Sequence, residues 1–337
     1  MKIGILGCAN IARKYAIKSF QSQQNAEVAF IGSRDAAKAK TWAQDFGIKS
    51  FGTYDDLLDD KSIDAVYVPL PIGLHEEWLI KAAKAGKHII SEKSLTESFA
   101  ATKEVVDICE KKNVVLYENF MCDYHPQHAK VLELIKNGEV GEPTIFRGFF
   151  GFPLMKEDNF RYNKELGGGS LNDAGAYTVF MARKIIGEEP VSVSANLHTD
   201  PKFNVDMRGS AILEFAGGKS ALIAFDFNAL YQNNYSVWGS KGMINVKRAY
   251  SIPPELKPEI ELIKNENMKE VVSQIDIPAS NHFDLIFSDF CDTVLNKEKR
   301  KEKIESIYEK ILNQARVLEA IRISARENRK VQISEAK

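Results

Sequence analysis

Lys2-Ile3-Gly4-Ile5-Leu6-Gly7-Cys8-Ala9-Asn10-Ile11-Ala12 is a short apolar run, then a glycine, then the beginning of a helix. It occupies the strand–turn–helix place of a G-x-G-x-x-G/A dinucleotide fingerprint, with only the first glycine kept. Ala12 suits the position that serves close helix–strand packing. Ala9 is a departure, because the backbone there has to approach a pyrophosphate. A plain strand–turn–helix accounts for this stretch as well, so the decision falls to the elements downstream of it. Strands at Glu27–Gly32, Asp64–Val68, His88–Ile90 and Val114–Tyr117 alternate with helices at Ala36–Phe46, His75–Ala85 and Ala100–Lys111. Such alternation means βαβ units and a parallel sheet. Residues 1–121 are therefore expected to form a doubly wound, Rossmann-type nucleotide-binding domain.

After Phe120 the pattern changes. One helix, His128–Asn137, precedes strands at Thr144–Phe150, Val191–Leu197, Met207–Phe215, Lys219–Phe227 and Tyr235–Gly239. Turns such as Ala216-Gly217-Gly218 suit antiparallel hairpins. Helices at Asn281–Leu295 and Ile304–Asn328 close the chain, and Pro153-Leu154-Met155 and Pro253-Pro254 read as ordinary loops. The fold class is α/β: a Rossmann domain followed, over residues 122–337, by an α+β domain with a large, mostly antiparallel sheet.

Length and composition fit two globular domains: 337 residues, 44% hydrophobic and 27% charged. A net charge of −1 gives no electrostatic case for nucleic acid or an anionic membrane. The basic run Lys297–Lys303 is interleaved with Glu298 and Glu302 and reads as a solvated helix face. No apolar run is long enough to span a bilayer. The N-terminus lacks the long apolar region of a signal peptide, and the four cysteines are scattered, which together predict reduced thiols and a cytoplasmic protein. His75, His125 and His128 have no metal-like spacing, so no metal is expected. His125, before a proline, reads as structural, and Trp42, Trp78 and Trp238 as packing residues.

Gly167-Gly168-Gly169-Ser170-Leu171-Asn172-Asp173-Ala174-Gly175-Ala176-Tyr177 is the second informative stretch. Three glycines allow close approach of backbone or of a ligand. Ser170 and Asp173 resemble a capping box, Ala174, Tyr177, Met181 and Ile185 recur at helical spacing, and Gly187 is placed to end the helix. Asp173 and Tyr177 then share a face near the helix N-terminus. A carboxylate beside a phenol can form a proton-transfer site. Equally, Asp173 can act only as a cap and Tyr177 only as a core residue.

At the end of the second strand, an NAD-binding domain usually carries an acid for the ribose 2′-hydroxyl. Here Gly32-Ser33-Arg34 supplies a hydroxyl and a guanidinium, which suit a 2′-phosphate. NADP(H) is thus expected in preference to NAD(H), although Arg34 at a helix start has a plain surface reading too. Val68-Pro69-Leu70-Pro71-Ile72-Gly73-Leu74-His75 and Ser91-Glu92-Lys93-Ser94 come after the next two strands, at the carboxyl ends where such sheets bind ligands.

Together with Gly167–Tyr177, these motifs resemble the Gfo/Idh/MocA oxidoreductases along essentially the whole chain. Asn119-Phe120-Met121, His125-Pro126-Gln127-His128, Phe150-Gly151-Phe152-Pro153 and Asn159-Phe160-Arg161-Tyr162 look most like two branches, the NDP-sugar C-3 ketoreductases and the dihydrodiol and aldose dehydrogenases. The resemblance implies hydride transfer between a nicotinamide and a secondary alcohol or ketone of a sugar or sugar-nucleotide. It assigns Lys93, Asp173 and Tyr177 to catalysis. It assigns Gly7, Ala9, Asn10, Ile11, Ser33, Arg34, Leu70, Pro71, His75, Glu92 and Lys93 to the cofactor, and Arg161, Tyr162 and Asn119 to the substrate. A phenol with an ordinary pKa of ~10 is a weak base at neutral pH, and a neighbouring ammonium lowers that value. Hence Tyr177 is expected as acid/base, Lys93 as polariser, and Asp173 as a group that orients Lys93 or binds a substrate hydroxyl. Relatives also bury an open sheet face between subunits, so a homodimer or homotetramer is expected. A non-catalytic NADP-binding regulator is the rival role. Ser94 replaces the family's proline; a cis bond without proline costs about 2.5–4 kcal/mol, so a trans turn is expected.

Overall fold

The computed structural model describes residues 1–337, and contacts divide the chain into two compact units, Met1–Phe120 with Phe283–Leu312 and Met121–His282 with Asn313–Lys337. In the first unit, strands β1 (Lys2–Leu6), β2 (Glu27–Gly32), β3 (Ser50–Gly52), β4 (Ala65–Val68), β5 (His88–Ser91) and β6 (Leu116–Glu118) form one sheet in the order β3-β2-β1-β4-β5-β6. All its pairings are parallel. Helices α1 (Ile17–Gln21), α2 (Ala36–Phe46), α3 (Tyr54–Asp59), α4 (His75–Lys84) and α5 (Phe99–Lys112) make the crossovers. The strand order reverses between β1 and β4, which is where doubly wound sheets open a crevice. Strand β3 escapes the sequence reading because Ser50-Phe51-Gly52 is too short and too exposed to show a pattern.

Residues 283–312, placed by the sequence reading with the second half, pack in the first unit. Phe283 stacks on Tyr15 at 4.7 Å and Phe287 on Phe20 at 4.1 Å, while the Tyr308 hydroxyl donates to the Val114 carbonyl.

The second unit contains α6 (Pro126–Lys136), β7 (Pro143–Gly151), α7 (Ala176–Ile186), β8 (Ser192–Thr199), β9 (Asp206–Glu214), β10 (Ser220–Asp226), β11 (Gln232–Gly239), β12 (Gly242–Lys247), β13 (Glu259–Glu266) and β14 (Lys269–Ile275). After α8 (His282–Leu295) and α9 (Lys297–Glu327), a short β15 (Val331–Gln332) completes the order β14-β13-β12-β11-β7-β10-β9-β8-β15. Only β7 and β10 run parallel; every other pair is antiparallel. The fold is the expected one, α/β followed by α+β.

Strands β12 to β14 are absent from the sequence reading. Their last turn uses Asn267 and Met268 at φ 52° and 64° in place of the usual Asn-Gly, and β14 is exposed on both faces, so neither turn nor alternation marks β14. Helix α9 begins at Lys297, ahead of the expected Ile304. Asn296 caps it through its side chain (Lys299 N–H to Oδ1, 3.1 Å), and Asp289 of α8 binds Lys299 and Lys303 at 3.0 and 2.7 Å.

One face of the second sheet packs on α7. The other leaves Ile212, Leu222 and Trp238 about two-fifths exposed. Ile212 and Leu222 lie opposite each other, as do Ile145 and Trp238, so the apolar side chains form cross-strand pairs on an open surface. Trp238 is therefore a surface residue here, not the core residue its size suggests.

Candidate active site

The nucleotide side is built at the β1–β4 switch point. Gly7 ends β1 with φ 132°, donates to Gly32 O at 3.0 Å, and would place a Cβ 2.7 Å from Leu70 Cδ2. A side chain is thus excluded both by backbone conformation and by Leu70. The helix after it opens with π geometry over Ala12–Ala16 before α1, without a side-chain cap at Ile11. Ala9 and Asn10 lie in this opening turn, where Arg13 N–H reaches Ala9 O at 3.2 Å.

Ser33 and Arg34 come directly after β2. The Ser33 hydroxyl accepts from Asp35 N–H at 3.1 Å, while Arg34 is exposed. Asp35, the nearest acid, spends its carboxylate as the N-cap of α2, accepting from Lys38 N–H at 3.0 Å. That leaves a hydroxyl and cations at the strand end, with the one carboxylate turned to its own helix. Lys38 belongs to this cluster as well, and no sequence motif singles it out.

Beyond β4 and β5 the predicted residues form two buried ties. The His75 ring is wholly enclosed: Nε2 lies 2.7 Å from Leu70 O, and Nδ1 lies 3.1 and 3.0 Å from Ser94 O and Leu95 O. Burial lowers its pKa. His75 therefore binds the loop after β4 to the turn after β5, with its ring closed off from a ligand. Glu92 accepts from Tyr67 Oη and Asn119 Nδ2, both at 2.6 Å on the same oxygen, and burial raises its pKa. Asn119, expected to face substrate, is fully buried; its Nδ2 holds Glu92, while its Oδ1 has no partner. Lys93 lies in the turn between these ties. The Lys93–Ser94 peptide is cis, which corrects the trans expectation; the turn is bracketed by the His75 contacts and by Leu95 N–H donating to Glu118 Oε1 at 2.8 Å.

Asp173 and Tyr177, expected to serve proton transfer, lie in the second unit. Ser170 and Asp173 do not form the expected capping box, because Leu171–Gly175 adopts π geometry and the N–H groups at the helix start turn elsewhere. Asp206 of β9 takes them: Oδ2 accepts from Leu171 N–H at 2.6 Å and from Ser170 Oγ at 2.8 Å. Burial raises the Asp206 pKa, opposed by these hydrogen bonds. Asp206 is invisible in the sequence, since it acts on Ser170 from a strand 36 residues away.

Gly168 and Gly169 serve close backbone approach. A Cβ on Gly168 would meet Arg161 O at 2.4 Å and Asn163 O at 2.8 Å, and one on Gly169 would meet Asp206 Oδ1 at 2.4 Å. Gly168 N–H donates to Asn163 O and Gly169 N–H to Arg161 O, at 2.9 and 3.0 Å. The loop 159–163 is thereby pressed onto the start of α7. It brings Arg161 to Asp173, with Nε–Oδ2 at 2.5 Å and Nη2–Oδ1 at 3.4 Å. Tyr162, by contrast, turns inward: it is buried, stacks near Phe203, and accepts Met155 N–H at 2.9 Å on its hydroxyl.

Tyr177 is one turn beyond Asp173. Its ring lies edge-on to Phe150 at 5.5 Å, and its hydroxyl donates to Met121 Sδ at 3.5 Å, a weak acceptor. The second half of α9 buttresses the helix start: Gln314 Nε2 donates to Ala176 O at 2.9 Å, and Arg322 Nη2 to Asn172 Oδ1 at 2.5 Å. His125 caps α6, its Nδ1 accepting from Gln127 N–H at 3.2 Å, and His128 lies between Tyr235 Oη and Ala249 O, both at 2.9 Å.

A doubly wound sheet with a glycine turn at its switch point and a cluster suited to a 2′-phosphate after β2 defines a dinucleotide-binding protein, and the mixed sheet on which the helix bearing Asp173 and Tyr177 packs narrows the class. Residues 1–120 match the profile of the oxidoreductase family with an NAD-binding Rossmann fold, and residues 128–245 that of the GFO/IDH/MocA C-terminal domain. The chain belongs to the Gfo/Idh/MocA family of oxidoreductases. It is 37% identical over 281 residues to dTDP-3,4-didehydro-2,6-dideoxy-alpha-D-glucose 3-reductase of Saccharopolyspora spinosa, covering 83% of each chain. It is likewise 37% identical over 262 residues to D-xylose 1-dehydrogenase (NADP(+)) 2 of Haloferax volcanii, covering 77% of this chain and 80% of that one. The crystal structure of KijD10, a 3-ketoreductase from Actinomadura kijaniata in complex with NADP and TDP-benzene, superposes with a TM-score of 0.91 at 31% identity, covering 96% of this chain and 97% of that one.

Proposed function

We propose that the protein is an NADP-dependent oxidoreductase that interconverts a ketone and a secondary alcohol on a sugar or sugar-nucleotide. The observation that carries this reading is the Tyr177–Asp173–Arg161 arrangement at the head of α7, in a chain that keeps Lys93 after β5. The donor set after β2 supports NADP(H) over NAD(H). Ser33, Arg34 and Lys38 offer a hydroxyl and two cations, and Asp35 is engaged as a cap. Gly7, Ala9, Asn10 and Ile11 would line the pyrophosphate side, next to a helix N-terminus. When bound, the nicotinamide supplies or accepts the hydride. Tyr177 gives its hydroxyl proton to the developing alkoxide in reduction and removes it in oxidation. The Lys93 ammonium stabilises negative charge on the phenol and on the substrate oxygen. Glu92 and His75 hold the Lys93 turn from behind, and Asp173 sets the head of α7.

One nucleotide-sugar reductase and an aldose dehydrogenase occur at equal identity among the relatives, so a free aldose is the second reading. The open face of the second sheet, with its exposed Ile212, Leu222 and Trp238, supports self-association. Turnover is tested by nicotinamide absorbance with 3-keto-nucleotide-sugars, aldoses and diols. Removal of a general acid/base costs roughly a hundredfold to ten-thousandfold in rate. Tyr177→Phe is expected to lose kcat on that scale while NADPH, followed by its fluorescence, still binds more tightly than NADH. A folded, active Tyr177→Phe protein sinks the assignment, and retained NADPH binding without any turnover in the parent supports the regulator role instead.

A further inference from the structure

The family motif assigns Arg161 to the substrate, yet its donors are spent inside the protein. Its Nε and Nη2 fork onto Asp173, and its Nη1 points back to Asn159 Oδ1 at 3.5 Å and Met155 Sδ at 3.9 Å. The pair is largely buried, with the Arg161 and Asp173 side chains 23% and 13% exposed. The guanidinium lies over Phe160 at 4.7 Å and Phe152 at 5.9 Å. Phe152 abuts Phe150, and Phe150 abuts Tyr177, so an aromatic wall fixes both ends of the arrangement. Two backbone hydrogen bonds from Gly168 and Gly169 hold the loop that presents Arg161.

The geometry creates an electrostatic problem and its solution. A carboxylate one helical turn from a phenol opposes the phenolate, because like charges at that range raise the cost of ionisation. A buried guanidinium in fork contact with the carboxylate removes that opposition and fixes its orientation. Burial works against the charge on Arg161, but Asp173 outweighs it, with Tyr177 and Tyr162 acting in the same direction. Arg161 therefore stays charged.

We propose that Arg161 is a positioning residue for proton transfer: it holds the Asp173 carboxylate in one orientation and cancels its charge, so that Tyr177 can give up and regain its proton. This rests on Tyr177 as the acid/base group, but its test needs no turnover. The ionisation midpoint of Tyr177 is read as the tyrosinate absorbance difference between each protein and the same protein carrying Tyr177→Phe.

Arg161→Gln is expected to raise that midpoint by about one pH unit or more. Adding Asp173→Asn to Arg161→Gln should return it close to the parent value, a reversal that a merely structural role for Arg161 would not produce. Arg161→Lys keeps the charge and should stay near the parent. Asp173→Asn alone, which leaves the guanidinium uncompensated, should lower it. An unchanged midpoint in Arg161→Gln, or no reversal in the double variant, overturns the proposal. Should Arg161→Gln fail to fold, Asp173→Asn and Arg161→Lys carry the comparison, and a raised midpoint in either refutes it. Loss of turnover in the parent would bear on the function reading and leave this ionisation test intact.

Discussion

Replacing Gly168 with alanine tests the reasoning about how the acid–base side is assembled. The new methyl carbon would lie 2.4 Å from the Arg161 carbonyl oxygen, 2.8 Å from its carbon and 2.8 Å from Asn163 O. All three are backbone atoms, so no side chain can swing aside; the loop and the helix head have to separate. Overpacking of this kind costs about 1–3 kcal/mol. Weakening the Gly168–Asn163 and Gly169–Arg161 hydrogen bonds adds about 1 kcal/mol each. A total of roughly 3–5 kcal/mol is expected. Gly217→Ala is the control: Gly217 has φ 69° and no atom within 4 Å of an added Cβ, so only backbone conformation opposes it, at about 1–2 kcal/mol. The assay is thermal unfolding of both variants with bound NADPH, alongside kcat and NADPH affinity. Gly168→Ala should unfold several degrees lower than Gly217→Ala and lose kcat through displacement of Arg161 from Asp173. Its NADPH affinity should be unchanged, because the glycine-rich stretch belongs to the second unit. Equal stability of the two variants, or a fully active Gly168→Ala, refutes the close-approach account.

Two more outcomes can be measured on the same protein. Burial holds the His125 imidazole at about 4 and that of His282 at about 3, the latter lowered also by the neighbouring His125. An unfolded imidazole titrates near ~6.5, so the unfolded chain takes up protons first, and stability falls as pH drops below that value. At pH 5 the loss is about 2 kcal/mol for His282, with a contribution of the same sign from His125. The thermal midpoint should decline from pH 7 to 5 and decline less steeply in His282→Gln, whereas a flat profile contradicts it. On the open sheet, Ile212→Asp together with Leu222→Asp places carboxylates opposite each other in the β9–β10 pair. Light scattering should show a smaller species than the parent, and an unchanged mass excludes this face as the contact.

The doubly wound half was legible because, β3 and α3 apart, its elements announce themselves locally: short apolar runs, helices with Asp35 or Ser98 at the cap, and glycine at the first turn. The family motifs added the identities of Lys93, Asp173 and Tyr177. What stayed hidden depends on residues distant in sequence. Nothing near Ser170 points to Asp206, and nothing near Asp173 says that Arg161 will reach it across three glycines. Asn119 and His75 carried the right address and the wrong surroundings: each comes after a strand at the ligand end of the sheet, yet each is consumed by a neighbouring loop. The π turns before α1 and within the head of α7 are equally silent, because no residue preference distinguishes them from an ordinary first turn.

The close seating of loop 159–163 on the head of α7 bears on how such a protein changes its diet over evolutionary time. Arg161, Asp173 and Tyr177 are packed as one block, so a substitution that reshapes that loop also disturbs the proposed proton-transfer group. Novelty has to enter where nothing is bolted down. Leu154 and Leu230 are 52% and 81% exposed, on connections outside the glycine clasp. On the proposed function, a library confined to those positions leaves the Arg161–Asp173 pair and its glycine clasp intact, whereas one that reaches into residues 161–169 disrupts them.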